Sequence, residues 1–290
     1  MKFSELLRQI IAFFALVRVQ NILVLSLAFV LTAKYIFAPE ASFLQLLTNP
    51  NFIFLLLASM ISISSGYIIN SFYDRKKDMI NRPGKTLIEQ QLDLNKRLYL
   101  YFFFNFTAVF LAWFISYRAT IFFSVYIFLI WFYSHKVHNK TFIGNLFFAG
   151  LSIFPFFAIF LYFKRIDWFI FWHAIFLFLV LLLKDFVKSF VNLKGDVVTG
   201  NQTIPVKYGE QKAKYLIIFT SILLIAPMYI LTQHQRIGNM KYYFAGFALL
   251  YFLGLFVFVK SHRAKTYAYF YTLIKVLLVA GVFSIALVNN

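Results

Sequence analysis

Phe52-Ile-Phe-Leu-Leu-Leu-Ala-Ser-Met60-Ile-Ser-Ile-Ser-Ser-Gly-Tyr-Ile-Ile-Asn70-Ser-Phe-Tyr-Asp74-Arg-Lys-Lys-Asp78 runs from an apolar segment directly into a cluster of charge. Positions 52 to 72 carry no charged side chain. A helix of about 20 such residues crosses a hydrocarbon layer of about 30 Å, so the segment reads as a membrane span. Its end is polar: Asn70, Asp74 and Asp78 recur at every fourth position and form a single file on one face if the helix continues through Asp78. Arg75, Lys76 and Lys77 lie between them. Arg82 and Lys85 follow around the helix-breaking Asn81-Arg-Pro-Gly84.

Working outward, eight further apolar runs of spanning length appear, giving 13 to 36, 52 to 72, 98 to 116, 118 to 134, 142 to 162, 167 to 187, 214 to 232, 242 to 259 and 267 to 288. With 62% hydrophobic residues and 41 phenylalanines in 290 positions, no single soluble core could hide this surface. The expected fold is an all-α integral membrane bundle of nine transmembrane helices, with residues 1–290 as one domain. The first run begins too late and is too long for a cleaved signal peptide. Lys and Arg crowd alternate loops: Lys2, Arg8 and Arg18; Arg75 to Arg97; Lys136 and Lys140; Lys188 to Lys214; and Lys260 to Lys265. The positive-inside rule then predicts a cytoplasmic N-terminus, an external C-terminus and both acidic stretches on the cytoplasmic side of the inner membrane. The net charge of +18 is dispersed over juxtamembrane loops, which suits lipid headgroups and argues against a nucleic-acid partner. The chain has no cysteine, hence no disulfide and no thiolate chemistry.

Only ten residues are Asp or Glu, and four of them lie in two stretches. The second runs from Asp185 through Lys188 and Asn192 to Asp196, again with a four-residue repeat and with Lys194 beside it. Oxygen ligands alternating with cations, without His or Cys, suit Mg²⁺ held partly through the oxygens of a bound phosphate. The alternative is that juxtamembrane Asp and Lys pair along the helix and keep its end hydrated. Two such stretches in a chain so poor in acids favour the metal reading, which requires both to serve one site.

These residues resemble a family. Asn70-x3-Asp74-x3-Asp78 followed by Asn81-Arg82-Pro83 is similar to the first signature of the UbiA-type membrane prenyltransferases. Asp185-x6-Asn192-x3-Asp196, with Gly200, Thr203-Ile-Pro205 and Gly209, resembles the second. Tyr133-Ser134, Gly144-Asn145-Leu146, and Arg18 with Asn21 match further. Ser71 and Asn192 stand where the family usually has Asp, Lys188 where Tyr is frequent, and His138 where a basic residue is common.

The resemblance implies Mg²⁺-dependent transfer of an isoprenyl chain from a polyprenyl diphosphate to a lipophilic acceptor, in a central cavity open to the cytoplasmic face. Asp74, Asp78 and Asp196, with Asn70 and Asn192, would hold the metal. Arg75, Lys77, Arg82, Lys85, Lys188 and Lys194 would hold diphosphate oxygens, and Asp185 would orient or deprotonate the acceptor or steady the developing allylic cation. The segment from Asn192 to Pro205 is most similar to the branch acting on geranylgeranylglycerol phosphate, although that branch usually carries acids at Ser189, Val191 and Asn192. Prenylation of 4-hydroxybenzoate or 1,4-dihydroxy-2-naphthoate in quinone synthesis is the alternative acceptor chemistry. A transporter, or a relative that has lost the metal, would be a different class. A transporter predicts charge near the midplane of spans, where only Lys275 lies well inside a predicted run. Lys275 either snorkels to headgroups or reaches the site. His135 and His138 read as loop residues, and Glu89, Asp93 and Glu210 as solvated loop charges, with Glu89 a weak site candidate.

Overall fold

The computed structural model describes residues 3–165 and 167–289; Lys2, one of the basic residues of the N-terminal segment, lies outside them. Among the described residues the chain is helical without strands, and nine helices are long and apolar enough to cross a membrane. The chain falls into two compact units, residues 1–27 with 43–137, and residues 28–42 with 138–290.

The first unit contains α1 (Phe3–Leu16), the start of α2 (Val19–Thr32), α3 (Phe43–Thr48), α4 (Pro50–Tyr73), α5 (Arg75–Asn81), α6 (Pro83–Glu89), α7 (Leu94–Ile115) and α8 (Tyr117–Phe132). In this unit α4 packs on α7 and α8, and α1 lies on α6. Asn49 caps α4 by accepting the Asn51 and Phe52 amides, with Pro50 at the first helical position. Ser59, Ser62 and Ser64 each donate to the carbonyl four residues back at 2.8 Å, which satisfies hydroxyls in an apolar span. Gly66 matters for packing, since a Cβ there would stand 3.0 Å from Ile130 Cγ2 of α8.

The first predicted span differs from the structure. The apolar run from 13 to 36 is cut at Arg18, whose backbone is left-handed at φ 54°. Residues up to Leu16 belong to α1, which buries Ala12 and Leu16 and exposes Leu6, Leu7, Ile10, Ile11 and Phe14 on the opposite side. The true span begins at Val19 and ends in a π-helical turn, Ala33–Phe37. Hydropathy alone cannot see this break, because a turn between two apolar helices leaves composition unchanged.

The second unit takes in the end of α2 and its π-helical turn, then α9 (Ile143–Phe163), α10 (Trp168–Val191), α11 (Leu193–Val198), α12 (Ile204–Tyr208), α13 (Glu210–Gln233), α14 (Met240–Lys260) and α15 (Ala264–Ser284). Here α10 is the hub, touching α9, α13 and α15. An ionic latch ties its N-terminus down. Asp167 Oδ1 accepts the Ile170 amide as a helix cap, while Oδ2 accepts Arg236 Nη1 at 2.8 Å. Arg236 Nη2 donates to the Ile36 carbonyl at 2.9 Å, and Arg165 donates to that of Phe37 at 3.2 Å. The few cations of these sparsely charged loops thus satisfy carbonyls freed by the π-helical turn.

Candidate functional site: two kinked acidic helix ends

In the first unit the expected file of oxygen ligands survives a bend. α4 ends at Tyr73 and Asp74 adopts φ −87°, ψ 2°, so the helix is not continuous as expected. The four-residue hydrogen-bond ladder nevertheless runs on, from Asp74 to Asn70 at 2.9 Å, Asp78 to Asp74 at 2.8 Å and Arg82 to Asp78 at 2.7 Å. The file therefore stays on one side. Asn70 Nδ2 donates to Asp74 Oδ2 at 2.6 Å, which leaves the Asn70 carbonyl oxygen as an acceptor. Ser71, at the family's usual Asp position, donates its hydroxyl to the Ile68 carbonyl at 2.7 Å.

Cations surround this file. Arg75 is exposed, while Lys77, Arg82 and Lys85 are partly buried. Lys85 Nζ lies 2.9 Å from Glu89 Oε1. Burial lowers the Lys85 pKa below its usual value, the positive charge of Arg18 lowers it further, and Glu89 partly restores it. Glu89 is only 5% exposed, which corrects its reading as a solvated loop charge: α6 turns it inward to neutralise Lys85. The Arg18 guanidinium sits 4.8 Å from the Tyr67 ring centroid, one turn before Asn70, so the break in the first span delivers a cation to this helix. Tyr73 is hydrogen-bonded to His135 Nδ1 at 3.0 Å, and His135 stacks on Trp131.

The second unit repeats the device. α10 ends at Val191, Asn192 adopts φ −94°, ψ 5°, and α11 follows. Asn192 bonds back to Lys188 and Asp196 to Asn192, each at 3.0 Å. Asp196 is fully buried with Oδ1 accepting from Asn201 at 3.4 Å, Asn192 is 4% exposed, and Lys194 is exposed. Asp185 lies deeper in α10 and is 8% exposed. Its Oδ2 accepts the Asn145 amide at 2.8 Å and its Oδ1 is 3.8 Å from Lys188 Nζ.

Other sequence candidates fall elsewhere. Lys275 is exposed near the middle of α15, with its ammonium 5.7 Å from the Tyr271 ring. Asp93 caps α7 through the Lys96 amide, and Glu210 accepts the Tyr267 hydroxyl at 2.9 Å, so both are structural. Asn145 and Arg18, matched to the family without a role, prove to be the partners of Asp185 and Tyr67, while Lys184, a further charge within span six, escaped sequence reasoning. Lys184 carried a visible signal, one four-residue step before Lys188.

Among the described residues no three His, Cys, Asp or Glu side chains gather as a metal cage. That donor set still fits Mg²⁺, which is ordinarily held by one or two carboxylates together with substrate phosphates. The nine lipid-length helices found among the described residues define a multi-pass membrane protein, in which two helices end in acidic side chains flanked by cations.

The comparisons with known proteins narrow this class. The model of the UbiA prenyltransferase family matches residues 24–279, and the chain belongs to that family. Digeranylgeranylglyceryl phosphate synthase of Sulfurisphaera tokodaii is 24% identical over 246 residues, covering 84% of this chain and 82% of that protein. A solved structure concerning digeranylgeranylglyceryl phosphate synthase in membranes superposes with a TM-score of 0.70 at 19% identity, over 95% of this chain and 96% of the other. A UbiA homologue from Archaeoglobus fulgidus bound to GPP and Mg²⁺ superposes with a TM-score of 0.69 at 14% identity, over 95% and 99%. The protein is thus an integral, multi-pass prenyltransferase rather than a transporter.

Proposed function

We propose that this chain, acting as a single domain over residues 1–290, transfers the isoprenyl group of geranylgeranyl diphosphate to the hydroxyl of geranylgeranylglycerol phosphate. The named activity of the Sulfurisphaera tokodaii relative supports this acceptor over an aromatic acid. The observation that supports the chemistry is the repeated kink, which twice carries a four-residue recurrence of Asn and Asp side chains past the end of a span.

Asp74 and Asp78 with Asn70, and Asp196 with Asn192, would hold Mg²⁺, which when bound neutralises the diphosphate and so stabilises it as a leaving group. Arg75, Lys77, Arg82, Lys85 and Lys194 supply cationic hydrogen bonds to its non-bridging oxygens. Asp185 receives the acceptor's proton. Its Oδ2 is occupied by Asn145, so Oδ1 faces the hydroxyl as the allylic C–O bond to diphosphate breaks and the new ether C–O bond forms. A bundle this rich in Phe and Tyr would keep water from the developing allylic cation.

The distribution of Lys and Arg supports placement in the cell's inner membrane, with the N-terminus cytoplasmic, the C-terminus outside and the site cavity open to the cytoplasm. Because the chain lacks cysteine, single introduced cysteines at Lys76 and Lys241 can be labelled with a membrane-impermeant maleimide in intact cells. Labelling at Lys241 alone is expected. For the reaction, purified protein is incubated with both substrates and Mg²⁺, and the diether product and released pyrophosphate are measured. Release of pyrophosphate only with an aromatic acceptor would overturn the acceptor assignment.

A further inference from the structure

Asp185 lies between two lysines on α10, and only one of them, Lys188, figures in the family resemblance. Lys184 and Lys188 are four residues apart, on one face of the helix. Both ammonium groups face the same aromatic ring of α9: Lys184 Nζ stands 5.7 Å and Lys188 Nζ 5.5 Å from the Phe148 centroid. Lys184 is seven positions from the end of α10, on the order of 10 Å inside it at 1.5 Å per residue. Charge at that depth is costly and marks a ligand pathway more often than a packing contact. Two like charges one turn apart on a helix also repel.

The local charge is positive. Asp185 contributes one negative charge, 3.8 Å from Lys188, and the ring face contributes a weak attraction for both cations. By formal charge the two lysines and the one carboxylate sum to +1. Asn145 fixes the Asp185 carboxylate at 2.8 Å, so proton acceptor and cations are held in a set arrangement.

We propose that Lys184 and Lys188 form an anion subsite for the acceptor's phosphate monoester, and so select acceptors that carry a phosphate close to the reacting hydroxyl. The inference rests on Asp185 acting as the proton acceptor in prenyl transfer to a lipid alcohol. In a glycerol phosphate the free hydroxyl and the phosphate ester can occupy neighbouring carbons. One such molecule can give its hydroxyl to Asp185 Oδ1 and its phosphate to the adjacent ammonium groups. The resemblance gives Lys188 to the donor's diphosphate; with Arg75, Lys77, Arg82, Lys85 and Lys194 left for that group, Lys188 can serve the acceptor, so two phosphorylated substrates need not compete for one set of charges.

Steady-state kinetics with geranylgeranyl diphosphate test this, using geranylgeranylglycerol phosphate and its dephosphorylated alcohol as acceptors. Wild-type protein is expected to favour the phosphorylated acceptor by about 10- to 100-fold in kcat/KM, the size of a lost charged hydrogen bond. Lys184→Met should collapse that preference through the acceptor KM, with the donor KM within about 2-fold, and Lys184→Arg should keep most of it. A Lys184→Met effect on the donor KM instead would assign the lysines to the diphosphate and overturn the proposal. Wild-type protein active on both acceptors but indifferent to the phosphate overturns it alone, with no variant required. Wild-type protein inactive on both overturns the underlying reading and this one with it.

Discussion

Asn145 donates a 2.8 Å hydrogen bond to Oδ2 of Asp185, joining two residues forty positions apart where α9 packs on α10. The bond fixes which carboxylate oxygen remains available and gives the buried carboxyl group a polar partner where a lone one would be costly. Asp185→Asn is therefore expected to lower kcat by about 10²- to 10⁴-fold, the usual contribution of a positioned base, with KM for the donor unchanged. Asn145→Ala should cost less, about 10-fold in kcat. Equal losses in both variants would mean that the pair is structural only.

Asp74 caps α4, and its carboxylate accepts from Asn70 at 2.6 Å. Asp74→Ala should abolish turnover while leaving the protein in the membrane, with an unaltered elution profile in detergent. Full activity without Asp74 would remove the metal assignment.

Asn192 stands at the second kink with a neutral side chain. Replacing it by Asp adds the carboxylate that the family usually has there and increases the charge available to Mg²⁺. The half-saturating Mg²⁺ concentration for turnover should fall several-fold in Asn192→Asp, as read from a metal titration at fixed substrate. A rise would show that Asn192 faces away from the metal.

Lys85 has its pKa depressed chiefly by burial and then by Arg18. In the folded protein it therefore gives up its proton at lower pH than in the unfolded chain. Between the depressed value and 10.5 the unfolded state binds more protons, so the contribution of Lys85 to stability rises with pH across that window. Donor affinity should move the opposite way, weakening as the ammonium is lost. Lys85→Arg, protonated throughout, should retain donor binding to higher pH, measured as donor KM from neutral to alkaline conditions.

Arg236 bridges Asp167 and the Ile36 carbonyl at 2.8 and 2.9 Å. Arg236→Met should destabilise the protein by about 1–3 kcal/mol, because it takes the close donor from Asp167 Oδ2, leaving Arg165 at 3.9 Å, and the side-chain donor from the Ile36 carbonyl. A lowered thermal midpoint in detergent checks this. Asp167→Asn should cost less, since the Asn side chain can still cap α10.

The sequence by itself determined the solvent, the number of spans and the residues worth naming. Runs such as 167 to 187 leave no other fold class open, and their positions match the structure closely because backbone hydrogen bonds in lipid must close within each helix. The four-residue recurrence of Asn70, Asp74 and Asp78 and of Lys188, Asn192 and Asp196 was equally legible, since helical spacing is a local property. What only tertiary structure decided depends on neighbours remote in sequence: the break at Arg18 over Tyr67, the inward turn of Glu89 toward Lys85, the bond from Asn145 to Asp185, and the two lysines over Phe148. Local pattern sets which face a side chain occupies on its own helix. Which ring, amide or cation meets that face is fixed by the packing of one helix against another, and no spacing rule along a single chain encodes that partner.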